Sequence, residues 1–424
     1  MLNKKPKVIR TLALTILTAA LVGPGAWGQT FKVLHSFGNA GDGTAPIKGQ
    51  AFDGQGNLYG ITNLGPMGNG CLGNEGCGMV YQLKPNSDGT WTETVIHAFN
   101  GSDGAYPLSS LIFDAQGNLY GSASGEGHYP DVVYQLTPSS NGTWTESVLY
   151  QFPESPNGSD PGELTFDATG NIYGTTRFGG LHDAGTAFSL NRSLGWQERL
   201  LHTFDVPGDG GGGPYGAIAF DAEGNLYGTT LGGGAYNSGV VYKLTNQGAV
   251  FWHETVLYSF TGGPDGNAPW GVIFGPDGSL YGVTQVGGYL GNVLCELGCG
   301  TVYKLTPNSD GTWTKTTLYA FHGGHDDGAL PLERLTFDQA GNIYGVTAGG
   351  GRGYNLCGVG CGTVFKLTPS SGGHWTESVV YFFTAGLDGF DPSGPLAIDR
   401  AGNLYGTAGV GGLYGGGVAY EITP

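Results

Sequence analysis

The sequence predicts an all-β fold: a seven-bladed β-propeller with four antiparallel strands per blade. Three observations predict it. The tetrapeptide NLYG, or a close variant, recurs seven times through the 424 residues. Every copy lies in a unit with the same order of short apolar segments. The last unit lacks its fourth segment, and residues just after the N-terminal leader supply one.

The tetrapeptide Tyr stands at 59, 120, 173, 227, 281, 344 and 405, at intervals of 61, 53, 54, 54, 63 and 61 residues. The fourth unit shows the order well. It reads IAFD (218–221), AEGN (222–225), LYGTT (226–230), a glycine-rich loop, GVVYKL (239–244) and WHETVLYSF (252–260). These segments are rich in Val, Tyr, Phe and Thr and are bounded by Gly, Asn or Pro, as strands are. Four strands, a to d, repeated at 50–60 residues make the blades of a propeller. A single four-stranded blade cannot bury both faces, so the units must stack, and a ring does so without long free edges.

Closure follows from the two ends. The seventh unit has strand a (LAID, 396–399), strand b (404–407) and strand c (GVAYEI, 417–422), but no strand d. Residues 30–37 contain Phe31-Lys32-Val33-Leu34-His35-Ser36-Phe37, which matches the VLYSF pattern of that missing strand. They are expected to pair with 417–422 and make residues 29–424 one propeller domain.

Residues 1–28 read as an export signal. Lys4, Lys5, Lys7 and Arg10 precede an apolar run from Thr11 to Val22, then Pro24 and the small residues around Trp27. No later segment approaches membrane-span length. The chain has 17 basic and 34 acidic residues; four of the basic and none of the acidic ones lie in 1–28, which leaves −21 after cleavage. Such a surface repels phosphate backbones and argues against nucleic-acid partners. A monomer, secreted or periplasmic, is expected.

Residues that recur in most units read as structural. They are the Trp opening strand d (Trp91, Trp144, Trp196, Trp252, Trp313, Trp375), the tetrapeptide Tyr, and the Asp closing strand a, which caps a tight turn.

The units, of the form LTFDxxGNLYGTTxxGG…GTVFKLTPSSxGTWTETVLYSFxGGxDGxxP, resemble the bacterial Gloeo/Verruco (GloVer) tandem repeats of exported "choice-of-anchor" proteins. The resemblance covers residues 30–424. It implies an exported repeat protein and carries no assigned activity. Many such proteins end in a surface-sorting segment, whereas this sequence ends at strand c. GPDGSLYG (275–282) bears a fainter likeness to streptogramin-lyase-like and NHL propellers.

The b–c and d–a loops share one face of a propeller. The a–b turns are short and nearly identical, whereas the b–c loops vary (60–78, 121–131, 282–300). Variable loops on a constant scaffold are where binding usually resides. All six cysteines fall in these loops. Three local disulfides are expected, Cys71–Cys77, Cys295–Cys299 and Cys357–Cys361, the alternative being a four-cysteine zinc site shared by blades 5 and 6.

The d–a loops repeat FxxxxDGxxxP, with Asp42, Asp103, Asp209, Asp265, Asp327 and Asp388 before Gly and Asn157 in the remaining copy. Asp-Gly is foremost a turn signal; a ring of carboxylates is also a Ca²⁺ candidate. His322, His325, Asp326 and Asp327 form a further candidate metal cluster, and no resident cofactor is expected.

Departures found in one unit only are the better functional candidates. Lys48, Glu163, Trp270, Glu333 and Arg334 interrupt a run of small residues in strand a, near the channel. Glu163 and Glu333 suit either a paired acid and base or ion pairs with Lys48 and Arg334. Aromatic residues of the variable loops, Tyr129, Tyr236, Tyr289, Tyr354 and Tyr414, are candidate ligand contacts. No catalytic motif occurs in a fitting context. A binding module for an extracellular glycan or another envelope component is therefore the leading expectation. A structural envelope repeat, or a lyase or hydrolase at the channel mouth, is the alternative.

Overall fold

The computed structural model describes residues 29–39, 41–66, 71, 76–153, 157–205, 210–248, 251–291 and 295–424. The expected export signal lies outside them. The strands form seven antiparallel sheets, a 7-bladed β-propeller in which strand a of each blade lines a central channel. Blade 1 consists of Thr44–Phe52, Leu58–Leu64, Met79–Pro85 and Trp91–Ala98. Blade 7 consists of Phe390–Ile398, Leu404–Val410 and Val418–Thr423, completed by Thr30–Ser36. The closing pair runs from Thr30 opposite Thr423 to Ser36 opposite Val418.

Two aromatic contacts recur between blades. The Phe at the end of each strand d meets the strand c ring of the next blade: Phe99 with Tyr134 at 5.0 Å, Phe260 with Tyr303 at 5.1 Å, and, across the closure, Phe37 with Tyr81 at 4.8 Å. The tetrapeptide Tyr sits farther out. Tyr59 lies 5.2 Å from Phe113 and 5.7 Å from Trp144 of the next blade, and its hydroxyl donates to Asp53 at 3.1 Å. Asp53 also accepts from the Asn57 backbone N–H at 2.9 Å, so the a–b turn holds the ring that wedges the blades together. The tetrapeptide Gly is sterically required: a Cβ on Gly60 would lie 2.3 Å from the Tyr81 hydroxyl.

Strand a begins earlier than the sequence suggests, because much of the expected d–a loop belongs to it; blade 7 starts at Phe390 rather than 396. The residue before the strand a Pro has positive φ in all seven blades: Ala45, Tyr106, Asp160, Gly213, Ala268, Leu330 and Asp391. The left-handed turn aims its N–H at the preceding blade, as where Tyr106 N donates to Cys77 O (2.8 Å) and Leu330 N to Cys299 O (2.8 Å). An edge strand facing a channel tolerates the proline that follows. In blade 4 the inner strand is split into Gly211–Pro214 and Ala219–Phe220.

Two tests follow from the ring. Deleting residues 30–37 should expose the 418–423 edge and produce aggregates by size-exclusion chromatography, and Phe37→Ala should cost about 3–5 kcal/mol in urea unfolding. An unaltered midpoint for Phe37→Ala would contradict closure by this strand. The second test concerns Glu93 and Glu377 on the outer strands, whose carboxyls are pushed up to about 7 by burial and then by Asp42 and Asp327 respectively. Both hold a proton in the folded state that the unfolded chain releases near pH 4.5. Stability should fall as pH rises from 4.5 through 7, and the Glu93→Gln/Glu377→Gln double variant should flatten that slope in urea midpoints.

Candidate functional site

The inner strands carry bulges midway along the channel, where the register shifts between Ile47 and Ala51 in blade 1 and between Leu332 and Thr336 in blade 6. Lys48 and Glu333 sit at these bulges, both with φ of 68°. Gly394 holds the corresponding place in blade 7 with φ of 82°. Left-handed backbone is costly for side chains other than Gly, and bulges commonly re-aim a side chain beside a site.

Here they bring Lys48 and Glu333 together across the ring. Lys48 Nζ donates to Glu333 Oε1 at 2.6 Å and lies 3.5 Å from Glu163 Oε1. All three are at least nine-tenths buried. Glu163 also accepts from the Ser110 backbone N–H (3.1 and 3.0 Å to its two oxygens) and from Ser110 Oγ at 3.3 Å. Burial alone would lower the Lys48 pKa, but Glu333, Tyr215 and Glu163 reverse this and raise it. Burial raises the Glu333 pKa, against the pull of Lys48. Of the two expectations for the carboxylates, ion pairing describes the geometry, with one correction. Lys48 serves both, and Arg334 makes no hydrogen bond or ion pair with either among the described residues. Arg334 points its exposed side chain into a separate cavity nearer the a–b turns.

Trp270 lies on the other side of the charged bar. Its ring meets Tyr215 edge to face at 5.4 Å, and Lys48 Nζ stands 5.2 Å from the Tyr215 ring and 5.8 Å from that of Trp270. Tyr215 was not among the sequence candidates, although it follows Pro214 as Trp270 follows Pro269. That shared column was the available signal.

From Tyr215 a cleft of about 920 Å³ opens on the b–c face between blades 2 and 3. Its walls include Tyr129, Phe178 and Tyr215, with Glu126, His128, Asp160 and Arg177 supplying polar groups. Asp131 braces it, accepting from Gly125 N at 2.7 Å and Asp160 N at 3.1 Å. The Arg177 guanidinium lies 5.1 Å from the Phe178 ring, 5.7 Å from that of Tyr215 and 4.0 Å from Asp160. Burial raises the Asp160 pKa. Sequence reasoning missed Phe178, Asp160 and Arg177, although all three lie in the third unit, because the cleft they line forms only against Tyr129 of blade 2 and Tyr215 of blade 4.

The other loop tyrosines do not reach this cleft. Tyr236 and Tyr414 stand exposed on blades 4 and 7, and exposed Tyr289 meets His322 at a tilt, with centroids 4.7 Å apart. Tyr354 opens the one-turn helix Tyr354–Cys357, and its side chain is outside the described residues. The three disulfides are Cys71–Cys77, Cys295–Cys299 and Cys357–Cys361. Each pins a b–c loop, and such bonds belong to an oxidising, extracytoplasmic setting.

The d–a aspartates close their own loops. Asp327 Oδ2 accepts from the Tyr319 hydroxyl (3.0 Å) and the His322 backbone N–H (2.7 Å), and Asp388 likewise accepts from Tyr381 and Thr384. His35 and His97 take the Tyr role, at 3.0 Å from Asp42 and 3.3 Å from Asp103. Asp209 lies outside the described residues. Among the described residues, no three His, Cys, Asp or Glu side chains converge as metal ligands would, the group at His322, His325, Asp326 and Asp327 included. No helix among them is long and apolar enough to cross a membrane.

Fold and loops together define a disulfide-pinned, seven-bladed tandem-repeat propeller with one elaborated face. The chain belongs to the Gloeobacter/Verrucomicrobia repeat family, whose model matches residues 67–293, 130–357 and 253–424. Solved structures similar to it include a luciferin-regenerating enzyme (12% identity, 94% of this chain and 96% of that one, TM-score 0.45). A protein of unknown function from Dyadobacter fermentans is also similar (12% identity, 82% and 96%, TM-score 0.43). No curated protein matches the chain.

Removing the Lys48 ammonium leaves two buried carboxyls without their cation. Lys48→Met should therefore cost about 3–5 kcal/mol in chemical unfolding, and adding Glu163→Gln and Glu333→Gln should restore much of it. Equal stability of Lys48→Met and wild type would show that the triad is not an ion-paired unit.

Proposed function

We propose that this propeller is an exported binding module that engages an extracellular or cell-envelope glycan through its b–c face. The observation that carries this reading is the distribution of exposed apolar side chains. Of fifteen large apolar residues that stand exposed among the described residues, twelve lie on that face. Phe178, Leu181 and Tyr236 come from blades 3 and 4; Tyr289, Leu290 and Leu297 from blade 5. Leu356, Val359 and Leu387 belong to blade 6 and the loop after it, and Val410, Leu413 and Tyr414 to blade 7. Val148, Leu194 and Phe251 are the three elsewhere. Large apolar side chains left exposed mainly on one face make that face the better candidate interaction surface.

The chemistry of the cleft favours a sugar. Aromatic walls suit the C–H faces of a pyranose, while Glu126, Asp160, Arg177 and His128 offer donors and acceptors for hydroxyls. Its volume falls within the range of small-molecule sites. Glu163 and Glu333 share Lys48 and so hold shape and charge instead of moving protons. The protein acts as a monomer.

A glycan array probed with the mature chain, with and without Ca²⁺, tests the proposal. We expect capture of a defined glycan class, weakened about 30-fold by Trp270→Ala or Tyr129→Ala, as loss of an aromatic anchor of roughly 2 kcal/mol predicts. Glu163→Gln should change capture little. If no glycan binds, or if the aromatic substitutions leave capture intact, this reading fails.

A further inference from the structure

The charged bar of Lys48, Glu163 and Glu333 divides the channel, and the half on the a–b side is a separate chamber. It has a volume of about 350 Å³ and takes walls from all seven blades. Ile112, Ile218, Ile273 and Ile398 supply aliphatic wall, beside polar groups from Gln50, Ser110, Glu163 and Thr165. Its cationic group is Arg334, whose side chain is exposed. The a–b turns around the mouth are short, so no long loop covers it.

Arg334 differs from the other basic side chains near strand a. Lys243 lies 3.6 Å from Asp221, Lys48 pairs with two glutamates, and Arg177 faces Asp160. Among the described residues Arg334 has no hydrogen bond or ion pair; it only feels Glu333 at longer range. Glu163 forms part of the roof, but its oxygens already accept from Ser110 and face Lys48. A second polar group beside the chamber is also unsatisfied: Gln50 is 7% exposed, and its Oε1 is buried without a hydrogen-bond partner. In a protein of formal charge −17, an unpaired guanidinium in a chamber with isoleucines in its wall is a selective feature. A planar guanidinium matches a carboxylate with two parallel hydrogen bonds, and the surrounding isoleucines match a short hydrocarbon body. Chambers of this volume hold small molecules.

We infer that the a–b chamber is a second binding site, independent of the b–c face, for a small organic carboxylate held at Arg334 with its apolar body against the channel wall. The carboxylate enters from the a–b mouth and stops at the charged bar, whose own ions are already satisfied. The site does not depend on glycan binding.

Isothermal titration calorimetry of the full mature chain with hexanoate tests this, with hexanamide as the neutral isostere. We expect one hexanoate per chain with affinity in about the millimolar range, as eight non-hydrogen atoms allow. Arg334→Gln should weaken it at least tenfold, Arg334→Lys should retain part of it, and hexanamide should bind at least tenfold more weakly than hexanoate. Tyr129→Ala, on the opposite face, should leave hexanoate binding unchanged. Absence of saturable hexanoate binding, equal binding by Arg334→Gln, or equal binding of hexanamide would each overturn the proposal. If Arg334 serves only to balance the charge of Glu333, Arg334→Gln will alter urea stability while wild type takes up no hexanoate, which is the same overturning result. Since glycan capture is read separately, failure at one face is distinguishable from failure at the other.

Discussion

Everything in this ring depends on one contact made seven times: the Phe ending strand d of a blade against the strand c ring of the next. Centroid separations run from 4.8 Å for Phe37 with Tyr81 to 5.3 Å for Phe383 with Tyr420. These rings are all buried. The contact explains why a glycine follows the tetrapeptide Tyr, since the strand c ring occupies the space a Cβ would need. It also explains closure. Thr30–Ser36 leads Phe37 into the one interface that blades 7 and 1 would otherwise lack, so the ring is sealed by the same packing that holds it together elsewhere.

A rigid ring makes the channel a place where unfavourable backbone can be kept. The residue before each strand a Pro is left-handed, against the usual preference of pre-proline residues for extended conformations. Its N–H is satisfied by the neighbouring blade, as for Ala45 N to Gly416 O at 2.9 Å, so the local cost is offset by an inter-blade hydrogen bond. In blade 3 the acceptor is a side chain, Asp131, and this substitution opens the polar floor of the cleft. The bulges that follow carry Lys48 and Glu333 into the channel and, with Glu163, divide it. An aromatic, mixed-charge mouth lies on one side, and on the other a chamber of isoleucines and polar groups that holds the Arg334 guanidinium.

The two faces therefore differ by design of the repeat. The a–b turns cannot vary much, because each Asp of the turn holds the Tyr that wedges the next blade, as Asp221 holds Tyr227 at 3.0 Å. The b–c loops have no such duty. They are free to carry Tyr236, Leu297, Leu356 and Tyr414 into solvent, pinned in three blades by a disulfide spanning four or six residues.

By itself the sequence determined the number of blades, their strand order, the closing strand and the three cystine loops, because each is written in local, repeated patterns. Alternation, turn residues and spacing act within a few tens of residues, and seven copies make them legible. It also showed which positions depart from the repeat, Lys48, Glu163, Trp270, Glu333 and Arg334 among them. Only the tertiary structure decided how those five divide. Lys48 and Glu333 are 285 residues apart and meet only because the ring brings blades 1 and 6 across the channel. Arg334 is next to Glu333 in sequence yet lines the chamber, while the left-handed bulge turns Glu333 into the bar itself. Tyr215 and Phe178 line one cleft because blades 3 and 4 are neighbours in the ring. Proximity around a closed ring is set by blade order and bulge geometry, and neither is encoded in the spacing of any one repeat.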